Sequence, residues 1–311
     1  MIGDHYEPIG GVFPLEVALE CVKLWRERWP EIASRHRDSD GRPPQYTFFY
    51  PEEEYHPELL DPLAEMTRMG IADVEIHLHH DNDREADFMA RLTRFKQMLA
   101  DRHGLLHRID GQLVFAFIHG NWALDNSLPG GRWCGLNNEI TLLKQLGCYA
   151  DFTLPSAPSP AQTRIVNSIY WATDNPQLPK SHDRGIPVRV GGGREGDLLM
   201  VQGPLAIRFG ENGRWKPRLE NGELAGQDPP TAARVRVWFE VAPQLGEHLF
   251  IKLHTHGAQE KNSSMLLGDG LDRLFRLVAE RAAAMGFRLH FATAWQVYCA
   301  IEALRTGGKL E

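Results

Sequence analysis

The run Val114-Phe-Ala-Phe-Ile118 is apolar at every position, so a strand built from it must be buried on both faces. Such strands belong to parallel sheets covered by helices, and the rest of the chain fits that frame. Seven segments read as strands: Gln45–Tyr50, Ala72–His79, Gln112–His119, Tyr149–Leu154, Asn167–Ala172, His248–His254 and Phe287–Thr293. Helical patterns separate most of them. Leu59, Leu60, Leu63 and Met66 follow Pro57 and end at Gly70. Phe88, Leu92, Phe95, Met98 and Leu99 follow an expected N-cap at Asp83 and end at Gly104. Asn138–Leu146 and Leu271–Met285 lead into later strands through Gly147 and Gly286, and Trp295–Leu304 forms a last helix.

This alternation predicts an α/β fold, specifically a distorted seven-stranded parallel β/α barrel, because no Gly-rich phosphate turn of the doubly wound type opens a helix. Gly191-Gly-Gly193 reads as a turn between strand-like pieces. Residues 1–44, with an amphipathic helix over Leu15–Trp29 and a polar linker, are expected to pack on a barrel formed by 45–311. Within it, 185–243 reads as a β-rich insertion of short pieces, Val188–Val190, Leu198–Val201, Leu205–Phe209 and Val235–Val241.

The 34 basic and 41 acidic residues leave a net charge of −7 and no basic stripe, which argues against a nucleic-acid partner. No window approaches the roughly 20 apolar residues of a membrane span, and the opening residues lack a secretory pattern, so a cytoplasmic protein without a transmembrane segment is expected. Cys21, Cys134, Cys148 and Cys299 have no paired spacing and read as small buried hydrophobes. Nothing here sets an oligomeric state.

Chemistry gathers where the expected strands end. Glu75-Ile-His-Leu-His-His-Asp-Asn-Asp83 closes the second strand with three histidines. Alternation puts Glu75, His77 and His79 on one face and His80 on the other. Neutral imidazoles with a nearby carboxylate are ligands for a divalent metal, most simply zinc. Other strands end in Glu52-Glu53-Glu54, in His119-Gly-Asn121-Trp122, in Asp151, and in His254-Thr-His256. Barrels of this class hold their functional groups at that rim.

The order of these segments resembles the polysaccharide deacetylase superfamily, the NodB-homology carbohydrate esterases. Thr47-Phe-Phe-Tyr-Pro-Glu-Glu-Glu54 is similar to the first motif of that family, Glu75-Ile-His-Leu-His79 to the second, and Ile251-Lys-Leu-His254 to the late motif that ends in a catalytic histidine. Phe49 and Tyr50 stand where the family has its aspartate pair, so Glu52, Glu53 or Glu54 would substitute. The resemblance implies a metal-dependent hydrolase that deacetylates N-acetylated sugars or polysaccharide precursors, with a role in surface-polysaccharide biosynthesis by analogy. On that reading His77, His79 and Asp83 hold the metal, Glu53 is the base, and His254 or His256 protonates the leaving amine. His119, Asn121, Trp122, Asp151 and Trp171 would bind the carbohydrate.

Two other readings use the same residues. The pairs His77/His79 and His254/His256 suit a binuclear amidohydrolase or phosphoesterase barrel. A barrel that binds a glycan or a partner without catalysis would explain the lost aspartates.

Overall fold

A computed structural model describes residues 1–11, 13–209 and 216–310; positions 210–215, inside the expected insertion 185–243, are outside the described residues. The strands are β1 Ile2–His5, β2 Tyr46–Pro51, β3 Ala72–Leu78, β4 His107–Ile109, β5 Gln112–His119, β6 Cys148–Asp151 and β7 Ile169–Ala172. They continue as β8 Ile186–Pro187, β9 Leu198–Val201, β10 Ala206–Arg208, β11 Arg218–Glu220, β12 Gln244–Leu245, β13 His248–Leu249 and β14 Leu253–Thr255. The helices are α1 Leu15–Ser34, α2 Pro57–Arg68, α3 Glu85–His103, α4 Glu139–Leu146, α5 Ala232–Val241, α6 Glu260–Met265, α7 Leu271–Ala284 and α8 Ala294–Arg305.

The main sheet runs β14-β1-β2-β3-β5-β6-β9-β7-β8, with β4 added antiparallel to β5. Every ladder from β14 to β9 is parallel, and β7 and β8 join antiparallel. The seven-strand expectation is therefore corrected: among the described residues the path holds nine strands plus β4, and its two ends are not hydrogen-bonded into a closed barrel. The free side of β14 is met instead by 221–224, where His254 N donates to Gly222 O and Leu224 N to His254 O.

Several expected elements change. The first strand of the sheet comes from the N-terminal segment: β1 lies between β14 and β2, with Gly3 beside both His254 and Thr47. Residues 287–293 form no strand, because they run along the 38–40 loop, where Leu289 and Ser39 exchange hydrogen bonds and Arg288 pairs with Asp40. Val235–Val241 lies inside α5; Thr231 caps that helix by accepting from Arg234 N, and Val235, Trp238 and Phe239 bury one helical stripe. The His248–His254 run breaks into β13 and β14. α3 starts at Glu85 after Arg84, so Asp83 is not its cap.

Two apolar layers fix the sheet. On one face Phe48, Tyr50, Ile76, Leu78 and Phe117 pack against Trp25 and Trp29 of α1, Leu59 and Leu63 of α2, and Phe88 and Leu92 of α3, all fully buried. The other face carries Phe49, Ala116, Ile118, Ala150 and Phe152, covered by Val297, Ile301 and Leu304 of α8. Thr47 Oγ1 accepts from Ala294 N, and Tyr149 meets the Trp295 and Tyr298 rings, so α8 sits over the starts of the strands. Their C-terminal ends are left for polar groups.

Candidate functional site

Parallel register carries side chains of neighbouring strands to the same face. His5 is level with Phe49, Phe49 with Glu75, and Pro51 with His77, so His5 and His77 emerge side by side at the strand ends. Glu7, two residues beyond β1, meets them. His5, Glu7 and His77 each offer a ligand atom, and these atoms lie within 4.8 Å of one another.

The hydrogen bonding of this trio is incomplete in an informative way. His77 Nδ1 lies 3.0 Å from Ile118 O, and a carbonyl can only accept, so the ring proton is on Nδ1. A neutral His77 then turns a bare Nε2 toward Glu7 Oε1 at 2.9 Å, two acceptors in contact. Either a second ring proton or a cation must lie there. His5 is 1% exposed and neither ring nitrogen has a hydrogen-bond partner among the described residues. Burial, then the nearby His256, His77 and His254, holds it far below the usual histidine range, so it is a neutral ligand-type imidazole. Burial pushes Glu7 up, but the neighbouring His77, His256 and His79 outweigh this and hold it below the usual carboxylate range.

Further residues ring this centre. The His256 ring is 4.8 Å from His5 and the His254 ring 6.0 Å; burial lowers both pKa values. Trp122 lies 6.3 Å from both His5 and His256 at φ +55°, an unfavourable conformation for an aromatic residue, and its indole nitrogen is buried without a partner among the described residues. His79 leans outward, its Nδ1 hydrogen-bonded to Glu53 and its Nε2 3.6 Å from Glu7 Oε1. Burial pushes His79 down, but Glu53, Glu7 and Glu54 prevail and raise it above the usual histidine range. Both His79 and Glu53 keep about a third of their side chains in solvent, which makes them the open rim. Gly120 lies under the His79 ring, where a Cβ would come 2.4 Å from Cδ2, so only glycine lets that ring lie flat.

The sequence-derived residues divide between the two faces. His77, His79, Glu53, His254, His256 and Trp122 gather around His5 and Glu7, with Asn121 next to Trp122 at the start of the loop. Asp83 is not among them: its carboxylate is 3.3 Å from His80 and 3.5 Å from Arg91. Of the other glutamates, Glu52 pairs with Arg91, and Glu54 accepts from Ile9 N while burial pushes it up to about 7. His119 is on the opposite face beside His80, ring centroids 4.5 Å apart. Asp151 is buried against Thr153, and Trp171 is buried under the Arg194 guanidinium. Sequence reasoning missed His5 and Glu7, whose only signal was the His-x-Glu spacing that begins on the last residue of a four-residue strand with one large apolar side chain.

Searches against protein-family models, curated proteins and solved structures each find no match to this chain. No helix among the described residues is long and apolar enough to cross a membrane.

Proposed function

We propose that the chain is a divalent-metal hydrolase that removes acetyl groups from N-acetylated saccharides, with His5, Glu7 and His77 as the metal ligands and zinc as the expected ion. The close approach of His77 Nε2 to the Glu7 carboxylate, with His77 Nδ1 already facing Ile118 O, carries the metal assignment, with His5, which has no hydrogen-bond partner among the described residues, as its third member. The donor set of two neutral imidazoles and one carboxylate suits a catalytic zinc with an open position. A cation held there supplies Lewis acidity at an acyl oxygen, worth several kcal/mol of charge stabilisation.

The protein's own groups do the rest. Glu53, kept ionised by His79 although burial opposes it, is placed at the open rim to accept a proton from attacking water. His79, the raised histidine, can donate its own proton to the leaving amine and then take the water's proton from Glu53, against which its Nδ1 lies. Trp122 offers a ring face beside the centre for a sugar. The saccharide and the amide bond rest on the resemblance of the motif order to that of the deacetylase superfamily. A second reading, a binuclear amidohydrolase or phosphoesterase, is favoured by the approach of His256 and His254 to His5 from the other side.

The test is acetate release from N-acetylated oligosaccharides by the full chain, with metal content by plasma emission spectrometry. His5→Ala is expected to lose both turnover and one equivalent of metal, or two if the centre is binuclear. Glu53→Gln should keep the metal and lose about 10²–10⁴-fold in rate. Full activity in His5→Ala would remove the metal assignment, and a metal-loaded chain inert on every N-acetylated saccharide would remove the substrate class.

A further inference from the structure

On the other face of the sheet, a second set of donors converges with no opening to solvent. His80 follows β3, His119 ends β5, Cys134 lies in the loop before α4 and Glu139 opens α4. All four are buried, and one ligand atom from each lies within 4.8 Å of the others. The gaps match the edges of a small coordination polyhedron: His80 Nε2 to Glu139 Oε1 3.1 Å, Cys134 Sγ to Glu139 Oε2 3.3 Å, and His119 Nε2 to Glu139 Oε1 3.9 Å. His119 Nε2 points into this space fully buried and without a hydrogen-bond partner among the described residues.

The surroundings are those of a prepared site. Asp83 Oδ2 lies 3.3 Å from the other nitrogen of His80, the carboxylate-histidine arrangement that orients a ligating ring. Cys134 Sγ accepts from Asn126 N and Leu136 N, both at 3.4 Å, while burial and the adjacent Glu139 push the thiol up and keep it protonated until a cation displaces the proton. Glu139 Oε2 accepts from Asp125 N at 2.7 Å. The Cys134 loop is held against the histidine loop: Asp83 N donates to Cys134 O, Trp133 N to Asp81, and a Cβ on Gly135 would strike Asp83 N. One contact runs the other way, since Asn121 N approaches His119 Nδ1 at 3.2 Å; ligation through Nε2 puts the ring proton on Nδ1 and lengthens it.

We propose that His80, His119, Cys134 and Glu139 form a closed, structural site for a zinc-class divalent cation, separate from the His5, Glu7 and His77 centre. Thiolate and imidazole donors select zinc among the divalent ions. One thiolate, one carboxylate and two neutral imidazoles balance the charge of the ion, so the assembly is neutral in a buried place that charge would otherwise destabilise. Binding releases the Cys134 thiol proton and any proton held by His80. The cation ties the ends of β3 and β5 to α4 and the loop before it.

Cobalt replaces zinc with little change in geometry, and only the closed site contains sulfur, so the thiolate-to-cobalt charge-transfer absorption in the near ultraviolet reads this site alone. Full-length protein loaded with cobalt is expected to show that absorption, and His5→Ala to keep it whatever becomes of turnover. Cys134→Ser should lose the absorption and one equivalent of cobalt, and Asp83→Asn should weaken cobalt binding about 10–100-fold. The wild-type spectrum is decisive even if a variant does not fold: a chain that takes up no cobalt, or takes it up without the thiolate absorption, overturns the proposal. Unchanged cobalt content in folded Cys134→Ser does the same.

Discussion

Single residues in this protein are set by what burial does to their charge. Lys252 is 1% exposed, and among the described residues its ammonium bonds only Leu154 O, at 3.1 Å, with Asp151 the facing acid. Burial brings Lys252 down from 10.5 to about 7, and the same cause pushes Asp151 up to about 7. Between about pH 7 and 10.5 the unfolded chain therefore holds a proton that the folded chain does not. The resulting destabilisation is full below about 7 and is relieved as pH rises, by up to about 1.4 kcal/mol per pH unit. Lys252→Met removes it, and Leu154 O keeps its bond from Gly203 N. Urea unfolding at pH 7 and pH 9 should find the variant more stable than wild type, by a larger margin at pH 7; an equal margin would mean Lys252 stays protonated.

At the scale of elements, the four residues of β1 matter most. The strand is bonded on both sides, to β14 and β2, and it delivers His5 to the site and starts the turn that delivers Glu7. Deleting residues 1–5 opens both ladders of β1, cuts β14 off from the rest of the sheet, and is expected to abolish the cooperative thermal transition seen by circular dichroism. A variant that still melted sharply would show that β2 and β14 can pair without it. The strand escaped sequence reading because Ile2-Gly-Asp-His has neither alternation nor an apolar run; its position comes from partners about 45 and 250 residues away. Val235–Val241 shows the opposite failure. Its β-branched and aromatic composition suggests a strand, while the Thr231 cap and a buried stripe at helical spacing make it α5.

For the whole molecule, the segment from β10 to α5 matters because it supplies what lies along the free side of β14. Glu220, fully buried, accepts from Arg234 Nε and Nη2 at 2.8 Å each and from Trp238 Nε1 at 2.8 Å, with Arg208 Nε 3.1 Å away. Burial pushes Glu220 up, but Arg234 and Trp238 hold it below the usual range. Arg234→Met leaves that carboxylate under-compensated and is expected to cost about 3–5 kcal/mol in urea unfolding. Adding Glu220→Gln should recover much of the loss; no recovery would place the cost in packing instead.

By itself, the sequence determined that helices alternate with strands in a mostly parallel α/β sheet, and that His77 and His79 share a face that His80 does not, because both follow from local periodicity. The alternate face of one strand, the tip of another, a loop cysteine and the first residue of a helix become neighbours only through sheet register and helix packing. Tertiary structure therefore decided that His5 and Glu7 join His77, that Asp83 goes to His80, and that Cys134 meets Glu139, since those contacts depend on which strands lie side by side rather than on any short stretch of chain.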